Sequence, residues 1–349
     1  MVGVETLLEP MLELHDRIRA SVMDACARQA SELLATVAAD DGEAGDTIYA
    51  IDRVSEEALV QGLAEPARKE PLCIVAEGLP DNALVLPRGA REDDCRWRLL
   101  IDPIDGTRGL MYQKRSAWIL TGVAPNRGAG TRLRDIVLAV QTEIPLLKQH
   151  LSDQLWALRG TGMTARRFDR LAGTKTPLTL RPSRADTIAH GFATVVRFFP
   201  GARDVLAAID DEIVETLVAP APGKAACFED QYASTGGELY ELLAGHDRLV
   251  ADLRPLVQSV LTARGLFPGL CCHPYDLCTV LIAEEAGVIL ADPAGAPVDA
   301  PFDVTADVAW VGYANERLRA SVEPVLQGVL RRRGLLPSSP ESASRHDRE

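Results

Sequence analysis

In Leu99-Leu100-Ile101-Asp102-Pro103-Ile104-Asp105-Gly106-Thr107, an apolar run delivers two acids and then a Gly-Thr pair. Trp97–Ile101 reads as a strand that ends at Asp102, because Pro103 cannot donate to a ladder. The proline redirects the chain, so Asp102 and Asp105 can converge on one point. Gly106 lets the backbone approach a ligand closely, and the amides at Gly106 and Thr107 would face an anion as helix starts do. Carboxylates beside anion-binding amides make sense only with a cation between them. Hard oxygen donors of this kind suit Mg²⁺, which takes one or two carboxylates together with water and phosphate oxygens.

A lone D-x-x-D-G is more often a turn with a capping aspartate, and it is the full nine-residue context that points to a site. Two other motifs fail on spacing. A calcium EF-hand loop starting at Asp102 needs an acid or amide at its third position and Glu at its twelfth, where Ile104 and Gln113 stand. The D-x-D-x-T of haloacid-dehalogenase-type phosphatases is one residue shorter than the D-x-x-D-G-T found here.

Outward from this stretch, Leu7, Leu8, Met11, Leu14, Ile18 and Val22 recur at three- and four-residue spacing and predict a helix over 5–38. A second helix is expected over 51–64, a short apolar run at Leu72–Val75 with Glu77 just beyond it, and a loop over 80–96. Strands are expected at Trp118–Ala124, Ile136–Thr142 and Leu155–Leu158, and helices over 203–219 and 234–245. Asp276 precedes a helix expected over Leu277–Ala286, stopped by Gly287 and followed by a strand at Val288–Ala291. The fold class is a layered α/β or α+β sandwich without internal repeats. An N-terminal half (1–180) would carry most of the ligands, a C-terminal half (181–335) would supply Asp276, and the tail 336–349 is expected to be disordered.

The 349 residues are 47% hydrophobic and 25% charged, the mix of a globular domain. A net charge of −13 argues against nucleic acid as a partner. No apolar run approaches the roughly 20 residues that cross a bilayer, so no membrane partner is expected. The N-terminus, with Glu5 and Glu9, shows no secretory pattern. Seven cysteines without a C-x-x-C pair suit reduced thiols in the cytoplasm. The six scattered histidines give no metal spacing. Gly160-Thr161-Gly162-Met163-Thr164-Ala165 fits G-x-G-x-x-A, but no acid follows at the distance a dinucleotide site requires. Gly223-Lys224 lacks the upstream glycine of a P-loop, and no G-x-S-x-G elbow occurs.

The chain resembles the inositol monophosphatase-like family of metal-dependent, lithium-sensitive phosphatases. Asp102-Pro103-Ile104-Asp105-Gly106-Thr107 carries the resemblance most specifically. Three further elements follow the family order: Ile74-Val75-Ala76-Glu77-Gly78, the helix aspartate Asp52, and His273-Pro274-Tyr275-Asp276 leading to Glu284-Glu285-Ala286-Gly287. The likeness spans roughly 45–315 and is weak over 145–230.

The resemblance implies the layered fold that this family shares with fructose-1,6-bisphosphatase. It implies one Mg²⁺ on Glu77, Asp102 and the Ile104 carbonyl, and a second on Asp102, Asp105 and Asp276. Thr107 paired with Asp52 would activate water, and the Gly106 and Thr107 amides would hold phosphate. The substrate would be a small soluble phosphate ester such as an inositol, sugar or polyol phosphate. A bisphosphate nucleotide, fructose 1,6-bisphosphate and histidinol phosphate are the alternatives, as is a non-catalytic relative that binds metal or ligand. A homodimer is compatible with the family pattern. Gly78 stands where the family has a second glutamate, which puts a third Mg²⁺ in question. Arg108 departs from the usual continuation after D-G-T and, with Lys114 and Arg115, is a candidate substrate contact. So are Ser234 and Thr235. Asp252 is the candidate for a substrate-contacting acid. Glu284 and Glu285 read as a solvated helix face.

Overall fold

Strand residues that alternate between two apolar surfaces organise the chain: Leu99 and Ile101 are buried in one core and Leu100 in another. The computed structural model describes residues 3–28, 36–39, 48–79, 82–219 and 221–337. In chain order the elements are α1 (Glu5–Arg28), β1 (Val37–Ala39), β2 (Ile48–Tyr49), α2 (Ala50–Lys69), β3 (Leu72–Ala76), β4 (Ala83–Leu86), β5 (Trp97–Asp105) and α3 (Thr107–Met111). Then follow β6 (Ala117–Pro125), β7 (Leu138–Ile144), β8 (Leu151–Leu158), β9 (Met163–Asp169), β10 (Thr174–Leu178), β11 (Phe192–Val195), α4 (Arg203–Val218) and α5 (Thr235–Ala244). The last are β12 (Asp247–Asp252), α6 (Gln258–Ala263), α7 (Val280–Ala286), β13 (Ile289–Ala291), β14 (Trp310–Tyr313) and α8 (Glu316–Arg332).

An eight-stranded sheet runs β10-β9-β8-β7-β6-β5-β3-β4, and a four-stranded sheet runs β11-β12-β14-β13. Neighbours are antiparallel except β3 with β5 and β11 with β12. On one face of the large sheet, α1 and α2 bury Met11, Leu14, Ile18, Ile51, Leu59 and Leu63 against Leu99, Ile101 and Ile119. On its other face, α5 and α7 lie between the two sheets, and α4 and α8 pack on each other and on the small sheet. The result is the layered α/β sandwich expected from the sequence, in the order helix, sheet, helix, sheet, helix.

Several boundaries differ from the sequence reading. The helix expected over 5–38 closes at Arg28, and Val37–Ala39 is a strand paired with β2. Residues 29–35 of that expected helix lie outside the described residues. Local periodicity cannot anticipate β1, whose partner lies across a connection. The strand expected to end at Asp102 runs to Asp105, because Pro103 sits in an irregularity that the ladder spans. The loop expected over 80–96 contains β4, which finishes the edge of the large sheet beside β3, and a short turn of helix at Glu92–Asp94. The helix expected over Leu277–Ala286 is two pieces, a tight turn at Pro274–Leu277 that includes Asp276, and α7. Of the expected tail, 338–349 lies outside the described residues.

The docking of α1 uses one polar bolt. His15 is fully buried, with Nδ1 2.9 Å from Thr142 Oγ1 and Nε2 2.8 Å from Thr121 Oγ1. Burial, and then the charge of Arg19, push its pKa from 6.5 down to about 3. The unfolded chain therefore binds the extra proton first as the pH drops. The stability that neutral His15 supports is complete above pH 6.5 and is lost as the pH falls from 6.5 towards 3. Replacing His15 by Gln should remove a slope of about 1.4 kcal/mol per pH unit from the stability profile. The check is a set of urea unfolding curves for wild type and H15Q between about pH 7 and about pH 5; identical slopes would show a solvated histidine.

Candidate metal and phosphate site

Asp102 pairs with Leu120 of β6 and Asp105 with Trp118, so three steps along β5 match two along β6. That is a one-residue bulge. In a regular strand, residues three apart point to opposite faces; the extra residue restores parity and turns both aspartates to the face that looks at α5 and α7. The core assignments agree: Ile104 joins Leu99 and Ile101 on the α1–α2 side. The Ile104 amide donates to Asp102 Oδ1 at 3.0 Å, which holds the carboxylate across the proline.

Asp105 is fixed from the opposite layer. Its Oδ2 accepts the Gly236 amide at 2.5 Å and Ser234 Oγ at 2.9 Å, at the N-terminus of α5. A Cβ on Gly236 would stand 3.0 Å from that oxygen and 2.6 Å from Leu120 Cδ2, so the approach needs a bare backbone. Asp276 comes from the turn before α7, where its Oδ2 accepts the His273 amide at 2.7 Å. Tyr275 in the same turn donates its hydroxyl to Glu77 Oε2 at 3.2 Å, linking the end of β3 to the C-terminal layers.

Asp102, Asp105 and Asp276 bring one carboxylate oxygen each to within 4.8 Å of one another. Three of the five sequence-derived ligands thus meet in one cluster, and Glu77 and Ile104 line the same pocket. Burial, then Asp105, Asp276 and Glu77, raise the Asp102 pKa well above the carboxylate range; burial and then Asp105 do the same for Asp276. For Asp105, burial raises the pKa to about 6 against the pull of the Gly236 and Ser234 hydrogen bonds. Like charges so close and so dry need protons or cations among them. An all-oxygen donor set, with neither imidazole nor thiolate in the cluster, fits a hard divalent cation.

Thr107 Oγ1 lies 3.0 Å from Asp52 Oδ1 and 2.8 Å from the Ile104 carbonyl oxygen. The Tyr49 amide donates to Asp52 Oδ2 at 2.7 Å, so Asp52 caps α2 and faces Thr107 at once. Gly106 adopts φ +93°, a left-handed conformation that favours glycine, and α3 begins at Thr107. That helix has five residues, so an anion here would meet individual amides rather than a long dipole.

The other candidates divide. Ser234, Thr235 and Arg108 line the pocket. Ser234 is spent on Asp105 and on the Gly237 amide, which makes it a brace for the cage. Lys114 and Arg115 do not line the pocket; Arg115 pairs with Asp230 over the Tyr232 ring. Asp252 does not line it either: it is fully buried and holds Arg254. Glu285 is no free surface acid, since its carboxylate accepts the Gly160 amide at 2.6 Å and the Gly162 amide at 2.7 Å. This contact occupies the G-x-G turn.

Sequence reasoning missed Glu56, Phe198, Phe199 and Arg254, which also line the pocket. Gly78, at φ +80°, has no side chain beside Glu77, and a Cβ there would lie 2.3 Å from Glu56 Oε1. A carboxylate from α2 therefore fills the space next to Glu77. Its position one turn after Asp52 on the same helix was the available signal.

No protein-family model matches the sequence, and no curated protein matches it either. Solved structures do. Leishmania major fructose-1,6-bisphosphatase aligns with a TM-score of 0.67 and 12% identity, covering 93% of each chain. A hypothetical Pyrococcus horikoshii protein described as having similarities to inositol-1 monophosphatase aligns at 0.60 with 15% identity, over 93% of this chain and 99% of that one. The extragenic suppressor protein suhB of Bartonella henselae aligns at 0.60 with 16% identity, over 92% and 98%. The chain has the fold of the inositol monophosphatases and fructose-1,6-bisphosphatases.

Proposed function

We propose that this protein is a divalent-cation-dependent phosphomonoesterase, with Mg²⁺ as its ion and a small soluble phosphate ester as its substrate. The observation that carries the reading is the β5 bulge, which turns Asp102 and Asp105 together towards Asp276 beside the Thr107–Asp52 pair. The fold shared with proteins named as inositol monophosphatase and fructose-1,6-bisphosphatase supports it. Inhibition by lithium belongs to the same reading. So does a cytoplasmic setting, in keeping with seven unpaired thiols. No helix among the described residues is long and apolar enough to cross a membrane.

Glu77, Asp102 and the Ile104 carbonyl would hold one ion, and Asp102, Asp105 and Asp276 the second. When bound, the pair supplies Lewis acidity that activates water and offsets charge growing on the leaving oxygen. The protein groups do the rest. Asp52 accepts a hydrogen bond from the Thr107 hydroxyl, which leaves a lone pair on Thr107 Oγ1 to accept a hydrogen bond from the attacking water. As the new P–O bond forms, the water proton moves to Thr107 Oγ1 and the threonine proton to Asp52. The ester P–O bond breaks, the alcohol leaves with a proton from solvent, and the amides of Gly106 and Thr107 hold the phosphate.

Asp102→Asn separates electrostatics from chemistry. It removes one of three repelling carboxylates, so the metal-free variant should melt higher than metal-free wild type, by roughly 2 °C per kcal/mol of repulsion relieved. The upward melting shift that Mn²⁺ gives wild type should vanish, and phosphate release should fall to background. A variant that kept full turnover would end the metal assignment.

Thr107→Val gives the complementary split. Turnover with Mg²⁺ should drop by about 10²–10⁴-fold, while the Mn²⁺ melting shift persists. Loss of both together would make Thr107 a structural brace.

The pKa directions set a third test. Carboxylates raised in the folded state stabilise it while protonated, and that contribution is lost as the pH rises through the folded value, about 6 for Asp105. A cation takes the place of those protons. Calorimetric titration with Mn²⁺ in two buffers of different protonation enthalpy should register proton release near neutral pH, and weaker binding as the pH falls below about 6. Buffer-independent heats would place the ion elsewhere.

A further inference from the structure

Facing the acidic cage, the same pocket has a cationic and aromatic wall that the hydrolytic machinery does not use. Arg254 is only 6% exposed. Its Nε and Nη2 grip Asp252 at 2.9 and 2.5 Å, and Nη1 donates to the Leu270 carbonyl at 3.1 Å. Nη1 and Nη2 each keep one N–H beyond these bonds. The guanidinium stacks on Phe198 and Phe199, with its carbon 4.6 and 5.5 Å from the ring centroids. The two rings meet edge to face at 4.8 Å. The Arg108 guanidinium lies over Phe199 as well, at 5.0 Å. Arg108, Phe198, Phe199 and Arg254 all line the pocket that holds the aspartate cluster.

Burying a guanidinium is expensive unless it is paired and oriented. Asp252 and Leu270 supply the pairing, and the phenylalanine rings fix the plane. What remains is a rigid fork, the geometry that matches phosphate or carboxylate. Hydroxyl groups of a neutral polyol do not call for two guanidiniums packed on one aromatic ring.

We infer that the substrate carries a second anionic group, a phosphate or a carboxylate, which Arg254 receives together with Arg108 across the Phe199 ring. This rests on the phosphatase reading, in which the aspartate cage takes the scissile phosphate. It assigns Arg254 and Arg108 as specificity-determining residues, and Asp252 as the positioning residue for Arg254.

Two matched pairs of probes test it: a hexose monophosphate against its bisphosphate, and glycerol phosphate against phosphoglycerate. Phosphate release with Mg²⁺ gives kcat/KM for each, and calorimetry with Ca²⁺ replacing Mg²⁺ gives Kd apart from turnover. Wild type should favour the more anionic member of at least one pair by roughly tenfold to a hundredfold. Preference for the bisphosphate alone marks a phosphate as the second group, and preference for phosphoglycerate alone marks a carboxylate. Arg108→Gln and Arg254→Lys should pull the ratio towards one. The lysine variant keeps a charge on Asp252, and its melting temperature verifies folding. Hydrolysis of both members at equal efficiency, or a preference untouched in both folded variants, overturns the inference and leaves the phosphatase reading intact. Selective binding without turnover of any ester keeps the anion site and removes the hydrolase. Equal binding without turnover removes both.

Discussion

One inserted residue sets the parity of β5, and the site depends on it. Without the bulge at Pro103, Asp102 and Asp105 would point to opposite faces of the large sheet, one of them into the apolar layer beneath α1 and α2. Proline suits this place because it gives up a ladder bond that the bulge does not need. The Asp102 carboxylate takes the freed Ile104 amide. A feature that would weaken an ordinary central strand here points two acids the same way.

The remaining layers serve to bring partners to that face. The start of α5 supplies the amide and hydroxyl that hold Asp105, and the turn before α7 supplies Asp276. Gln141 of β7 ties both together, donating to the Gly236 carbonyl at 2.7 Å and accepting from Thr279 at 3.1 Å. The small sheet contributes through the end of β12, where Asp252 orients Arg254 towards the same cavity. The aspartates and Arg254 therefore come from different layers, and the pocket they share is where those layers meet.

Much of this was legible because short motifs carry geometry. Asp102-Pro103-Ile104-Asp105-Gly106-Thr107 announced both a strand and its interruption, although the sequence suggested that the strand ended where it only bulges. Asp52 and Asp276 were legible through order along the chain, since alone the first reads as a solvated helix charge and the second as a helix cap; in the fold both make a capping hydrogen bond. Phe198, Phe199 and Arg254 were not legible, because their approach depends on tertiary packing that no spacing encodes, whereas Glu56 was readable only through its place one turn after Asp52. Asp252 was noticed for its charge, but only the fold shows that this charge is turned on a neighbour two residues away. Val37–Ala39 was misread for the same reason: an apolar triplet after a helical pattern has no period of its own.

Glu285 bears on how firmly the cage is held. Its carboxylate is bound by the Gly160 and Gly162 amides of the β8–β9 turn, at the far end of the helix that follows Asp276. That helix is moored at one end to the large sheet and at the other to the cluster. Asp276 is thereby denied the freedom to swing away when repulsion in the cluster rises. The mooring therefore lets a turn of the large sheet that lines no part of the pocket set where Asp276 stands against Asp102 and Asp105.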